Sequence, residues 1–352
     1  MNSLSGKKHH AEELSYFNAI ACLLVIFIHV VSYGINTVAP ESVQAAVIYF
    51  PWRLAAFVVP AFLFSSAVKM AFQYEEQCSF RQYAGYAAGR VKKIYLPYIL
   101  WNVIYYAVFT FIGYVRPSSS DFFRQLFTGT LSAPFYYVVI AMQFYLLKPL
   151  WFWILGNLRW YIVVPGAVII TFLSLYLNAI LGLWGLSFAY VGRLFTSYLV
   201  FWIVGLYAGR NWERLTESLK HSGKSMAVGA VLVLPATVIP YLQFSTGARL
   251  FDVTYHKVFT DIISIAILLW ICLNLRQGAV QKCLSFVSRA SFSVYLSHCL
   301  FLSLAEVWIR RAGLTKISVI LMVRCLVCYS VPFLLYALGC RLRAAFRKRS
   351  PR

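Results

Sequence analysis

His29 stands inside ELSYFNAIACLLVIFIHVVSYGI, residues 13–35, a run otherwise made of side chains that favour lipid. An ionisable group at membrane depth is costly and by default functional. Imidazole is the common general base near neutral pH, and such catalysis is typically worth about 10²–10⁴-fold. Other ionisable residues fall within later apolar runs: Arg53, Asp261, Glu306, Arg324, and His298 within SFSVYLSH. Each alone has a plain explanation. A lone histidine often only hydrogen-bonds a neighbouring helix, and Glu306 with Arg324 would make a simple ion pair. Their convergence points instead to a polar cavity opening outward, because a buried charge needs a partner or water. A carboxylate, Asp261 or Glu306, is then expected to orient His29 and offset its charge when it takes a proton. Ser32, one turn beyond His29, has the spacing to hydrogen-bond an incoming hydroxyl.

The first run has a second regularity. Asn18, Cys22, Val25 and His29 repeat at i, i+4, i+7 and i+11, which is one helix face. The rise from Asn18 to His29 is about 16 Å, half the hydrocarbon thickness. This face is expected to border a conduit through the bilayer.

The elements that must position these groups follow from composition. The 352 residues are 61% hydrophobic and 12% charged, with mean hydropathy +0.71. Soluble domains carry about 25% charged residues, and one soluble core cannot hide this much apolar surface. Ten runs are long enough to be read as spans: 15–35, 47–70, 94–114, 134–154, 160–181, 192–210, 226–245, 258–275, 291–309 and 317–340. The weakest are the second, which holds Pro51, Arg53 and Pro60, and the serine-rich ninth. The expected fold is all-α, a polytopic bundle of about ten transmembrane helices forming a single domain over 1–352, with basic tails at 1–14 and 341–352.

The net charge of +21 is distributed in short segments between apolar runs. With an inner N-terminus the inner segments hold far more Lys and Arg than the outer ones, which puts both termini in the cytoplasm. The basic loop RRAGLTK, 310–316, runs against this pattern. No basic module stands apart from the spans, so no nucleic-acid partner is expected. AIAC, 19–22, is similar to a lipoprotein cleavage box, but the apolar run continues beyond it, so a retained helix is expected. Most of the eight cysteines, Cys78 being an exception, lie inside apolar runs and read as small apolar side chains. Cys325 and Cys328 form a C-x-x-C without a second pair, and no disulfide or metal ligand set is expected from the spacing.

Five segments, in order, resemble the integral-membrane acyltransferase 3 family across nearly the whole chain. The family's first-helix motif is Arg, ten residues, then His; here the spacing lands on Asn18 and His29, so the histidine is kept and the arginine is not. VVPAFLFSSAVKM, 58–70, is similar to the family's VPLFFFLSGF pattern, with Ser66 where glycine is usual. GRVKKIYLPYILW, 89–101, is similar to its basic stretch followed by Pro-Tyr, and Arg90 with Lys93 takes the R-x-x-R spacing. YYVVIAMQFYLLKPL, 136–150, is similar to its aromatic YLL-x-P helix, and RASFSVYLSHCL, 289–300, to its SFGIYLIH segment. The chain is also similar to the subgroup that contains the membrane component of staphylococcal-type biofilm polysaccharide synthesis.

The resemblance implies transfer of an acyl group, acetyl or succinyl, from cytoplasmic acyl-CoA to a hydroxyl of an extracytoplasmic glycan or lipid-linked sugar. Acyl-CoA enters as donor substrate, and no bound cofactor is implied. The catalytic residues expected are His29, Asp261 and Glu306. Asn18, Arg90 and Lys93 are expected at the donor, since Arg and Lys hold phosphate; the plain alternative is that these basic residues anchor the inner membrane face. Arg53, Ser65, Tyr136, Gln143, Tyr295, His298 and Arg324 are expected to line the pocket. The location implied is the bacterial cytoplasmic membrane, with lipids as neighbours; nothing in the sequence sets an oligomeric state. The competing reading is a polysaccharide exporter without acyl transfer. The chain has no G-x-x-x-x-G-K-[ST] loop, so export would draw its energy from elsewhere. A sensory membrane domain is a third reading, but no output domain is attached.

Overall fold

The computed structural model describes residues 12–75, 79–248, 253–275 and 278–349, and among them every regular element is helical. Cys78, the first eleven residues of the N-terminal tail and the last three of the C-terminal tail lie outside the described residues. Each of the ten apolar runs falls on a helix or a broken helix, but the runs differ in how they would meet a bilayer.

α1 (Glu12–Ile35) is one uninterrupted helix. α2 (Val43–Leu54) starts on Ser42, whose hydroxyl accepts from the Ala45 N–H, and passes through a 3₁₀ turn (Ala55–Phe57) into α3 (Val58–Ala71). α4 (Phe80–Arg90) opens with a capping box on Ser79 and Gln82 and runs through a π-turn (Val91–Tyr95) into α5 (Leu96–Phe111). Pro97 explains the π-turn: its ring would clash with the carbonyl of Lys93 in a regular helix, and one wider turn relieves that contact. The third span is therefore a longer rod than the run 94–114.

α6 (Ser119–Thr128) is a short amphipathic helix closed by Gly129 in the left-handed region, φ 65°. A Cβ there would meet the Tyr136 Cα at 2.8 Å, so only glycine fits both the backbone angle and the space. α7 (Phe135–Leu146) and α8 (Lys148–Asn157) bend by 56° at Leu147, just before Pro149. α9 (Trp160–Leu175) and α10 (Leu177–Gly182) lead through two 3₁₀ turns to α11 (Leu199–Arg210). α12 (Trp212–Lys220), α13 (Gly223–Val233), α14 (Pro235–Thr246), α15 (Val253–Leu273), α16 (Ala279–Arg311) and α17 (Ile317–Arg349) complete the chain.

Among the described residues six helices are long and apolar enough to cross a membrane, or up to seven if the bent α7–α8 pair counts as one span. α9 is apolar but shorter. α11, at 12 residues, is buried on most of its surface. The protein is a multi-pass membrane protein.

Two packing contacts set the centre. α11 lies against α3 through Gly205 and Gly209, a GLYAG step facing Ala67 and Ala71. A Cβ on Gly205 would stand 2.6 Å from the Phe64 carbonyl oxygen, so the two backbones touch, as small-residue pairs allow in lipid. α1 packs against α3, α16 and α17 together. Phe144 stacks on Trp202 at 4.4 Å between centroids, joining α7 to α11 in the larger apolar cluster. A second cluster surrounds the C-terminal half of α1, with Tyr98, Tyr105, Phe135 and Tyr295 fully or nearly fully buried.

Candidate functional site

His29 is partly buried on α1 and faces a cavity of about 140 Å³ lined by Trp52, Val58, Pro134, Tyr136 and Tyr295 among others. Five helices, α1, α2, α3, α7 and α16, and the turn before α7 build it. Tyr295, on α16, is fixed by its hydroxyl, which donates to the Pro134 carbonyl at 2.6 Å. Tyr136 stands under the Arg193 guanidinium, 5.3 Å from the ring centroid. No hydrogen bond engages the His29 ring among the described residues. Trp52 Nε1 is a buried donor that is likewise without a partner among them. A cavity with an open base and an orphaned donor suits a ligand that brings both an O–H and an acceptor.

His298 lies across from His29 on α16, with ring centroids 5.2 Å apart. It is fully buried, and its Nδ1 is 3.0 Å from the Val294 carbonyl. A carbonyl only accepts, so Nδ1 carries the proton and Nε2 presents a lone pair. The Cys299 thiol lies 3.4 Å from that Nε2.

The two carboxylates do not reach the imidazole. Glu306 pairs with Arg310 at 3.3 Å and with Arg324 at 3.6 Å. Arg324, only 3% exposed, donates from Nη2 to the His29 carbonyl and from Nε to the Val30 carbonyl, each at 3.0 Å. The expected contact from Glu306 is thus relayed: carboxylate to guanidinium to the main chain of His29. Asp261 is 5% exposed and pairs with Lys257 on its own helix, in a separate small cavity shared with Arg53. It is a correction to the sequence reading that neither Asp261 nor Glu306 orients the His29 ring. Ser32 also turns inward, donating to the His29 carbonyl at 2.8 Å.

The conduit expected along α1 is closed in its N-terminal half. Asn18 is 7% exposed; its amide donates to the Leu14 carbonyl at 2.7 Å and its oxygen accepts from Ser65 at 2.6 Å. Cys22 sits on the Ser291 carbonyl at 3.7 Å. Asn18 and Ser65 fasten α1 to α3, and neither lines the cavity at His29. The buried amide and hydroxyl satisfy each other. Gln143 is likewise engaged, bonded to the Arg193 carbonyl at 2.7 Å and to the Phe195 N–H at 3.1 Å.

The opposite end of the bundle is basic and aromatic. The antiparallel contacts of α1 and α3 put Lys69 at the end away from His29. Arg90 lies over the rings of Tyr86 and Tyr145, at 4.9 and 4.6 Å. Lys148, 6% exposed, lies over Tyr86 and Phe152, at 4.4 and 4.7 Å. Among the described residues no carboxylate pairs with Arg90 or Lys148. Lys93 is exposed within the π-turn. Lys148, Trp52 and Cys299 are the residues the sequence reading missed. A lysine inside the apolar YLLKPL was the available signal for the first; the other two have none at the level of spacing.

The profile of the acyltransferase domain family matches residues 12–338, nearly the whole span that carries these features. The chain belongs to this acyltransferase family. A Bacillus subtilis (strain 168) protein named as the membrane-bound acyltransferase YfiQ is 22% identical over 317 residues, 84% of this chain and 82% of its own length. Staphylococcus aureus (strain MSSA476) has a protein, named as a poly-β-1,6-N-acetyl-D-glucosamine export protein, that is 24% identical over 306 residues, 82% of each chain. No solved structure matches this acyltransferase. The chemistry assigned to it is acyl transfer, and the cavity at His29 is where an imidazole of this acyltransferase is available for it.

Proposed function

We propose that this protein is a membrane O-acyltransferase that moves an acetyl or succinyl group from cytoplasmic acyl-CoA to a hydroxyl of an extracytoplasmic glycan or lipid-linked sugar. The observation that carries the reading is the unengaged His29 ring at the wall of the outer cavity, beside an unpartnered Trp52 donor. A sugar hydroxyl donates its proton to His29 while its oxygen attacks the thioester carbonyl. The carbon–sulfur bond breaks, and the departing CoA sulfur takes the proton. Trp52 Nε1 donates to a neighbouring sugar oxygen. Arg324 and Glu306 hold the α1 backbone at the depth this needs.

The donor's phosphates lie at the basic end, between Arg90 and Lys148, whose aromatic cages leave the cations without a carboxylate. The thioester reaches His29 only when α1 and α3 part at Asn18 and Ser65. Ten crossings of the cytoplasmic membrane with both termini inside fit this polarity, since Lys69, Arg90 and Lys148 then face the cytoplasm.

The test is incubation of purified protein with labelled acetyl-CoA or succinyl-CoA and envelope glycan. Wild type labels the glycan, and His29→Ala does not while still folding. A fully active His29→Ala protein overturns the assignment. The relative named for polysaccharide export supports a second reading, in which the cavity belongs to a glycan path. Glycan movement across vesicles that needs no acyl-CoA, together with no label transfer, would favour it.

A further inference from the structure

One ring nitrogen of His29, one of His298 and the Cys299 sulfur all lie within 4.8 Å of one another. From this geometry we propose that His29, His298 and Cys299 form a site for a single soft divalent cation, Zn²⁺, and that its occupation switches the acyltransferase off. The inhibition rests on His29 being the base; the binding does not.

Tetrahedral zinc holds sulfur at about 2.3 Å and imidazole nitrogen at about 2.0–2.1 Å, which places adjacent donors roughly 3.3–3.6 Å apart. Cys299 Sγ and His298 Nε2 already stand at 3.4 Å. His298 is pre-set as a ligand. Its Nδ1–H is held by the Val294 carbonyl at 3.0 Å, the outer contact that fixes tautomer and ring orientation in zinc sites. His29 completes the set by rotating its ring about 1 Å toward α16, and nothing ties that ring elsewhere among the described residues. The cavity beside His29 supplies a water as fourth ligand.

The charge is manageable. The thiol gives up its proton to solvent as the metal arrives, so Cys299 contributes one negative charge. Arg324, the nearby cation, is offset by Glu306 at 3.6 Å. His29 and Cys299 lie 270 positions apart in sequence, so only the packing of α1 on α16 brings the three together. With its lone pair on the metal, His29 can no longer accept the hydroxyl proton, and transfer stops.

The experiment titrates metal-free protein in detergent with Co²⁺ and then Zn²⁺. One equivalent of Co²⁺ is expected to give the strong visible bands of a tetrahedral ion and a thiolate charge-transfer band in the near ultraviolet; Zn²⁺ abolishes both. Cys299→Ser loses the charge-transfer band and binds at least about 10-fold more weakly. Cys328→Ser, whose thiol lies 3.6 Å from the His298 carbonyl and off the ligand set, keeps both. In label transfer, Zn²⁺ inhibits wild type, and Cys299→Ser needs at least about 10-fold more Zn²⁺ for the same fractional inhibition of its own uninhibited rate. Absence of both cobalt bands in the wild type overturns the site. Bands without zinc inhibition leave the site standing and overturn the switch, and with it the assignment of His29 as base.

Discussion

Arg324 grips the main chain of His29, not its ring: one guanidinium spans the carbonyls of residues 29 and 30 at 3.0 Å each and leans on Glu306 behind. The imidazole is therefore positioned through its own backbone and left chemically free. Arg324→Lys keeps the charge but cannot span two carbonyls. It is expected to lower kcat about 10-fold, the loss of one charge-assisted hydrogen bond, with the KM for acyl-CoA unchanged. Glu306→Gln is expected to do the same more weakly. Steady-state kinetics with both substrates separates this from a donor-binding defect.

The seal between α1 and α3 gives a second expectation. Asn18 and Ser65 are 2.6 Å apart across that interface. Cysteines at both positions, oxidised to a disulfide, are expected to abolish label transfer, and a reductant is expected to restore it. Full activity in the cross-linked protein would mean that the thioester travels by another route.

Lys148 offers a test of the basic end. Lys148→Met keeps the length and apolar stem but removes the charge held over Tyr86 and Phe152. The KM for acyl-CoA is expected to rise about 10-fold with little change in kcat, as for loss of a charged hydrogen bond in binding. Lys93→Met, at an exposed position, is expected to change neither.

Trp52 tests the outer end. Trp52→Phe retains an aromatic wall and deletes the orphaned Nε1 donor. Its expected signature is a several-fold rise in the KM for glycan at unchanged KM for acyl-CoA, the reverse of the Lys148 pattern. Chromatographic assay of acylated glycan at varied acceptor concentration reads it.

The α3–α11 contact sets stability. Gly205→Ala forces a methyl against the Phe64 carbonyl, and destabilisation by about 1–3 kcal/mol is expected from overpacking. Gly166→Ala on α9 meets nothing within 4 Å and is expected to be neutral or slightly stabilising. Thermal unfolding in detergent compares the two.

Each apolar run read from hydropathy falls on helix, because lipid-facing and core-facing side chains are both apolar, while the polar α6 and α12 lie outside those runs. The same sameness hid the breaks. Nothing in the apolar count separates α11, 12 residues of which eight are buried, from a full span, nor shows that Pro149 bends α7–α8 while Pro60 is absorbed within the second span. His29, His298 and Arg324 were legible because charge at depth is rare. The Glu306–Arg324 pair was legible too, as the plain reading of two opposite charges at one depth. The other partners were not, because partner choice depends on local packing: Asp261 chose Lys257 one turn away, and Cys299 looked like one more small apolar residue until the packing of α1 on α16 brought it beside two imidazoles.

The closed N-terminal half of α1 bears on the energised cell. A water column running from Asn18 to His29, beside a group able to pass protons along, would let the proton-motive force drain through every copy of the protein. With Asn18 bonded to Ser65 and Cys22 seated on α16, the resting protein is expected to add no such leak to the membrane that holds it.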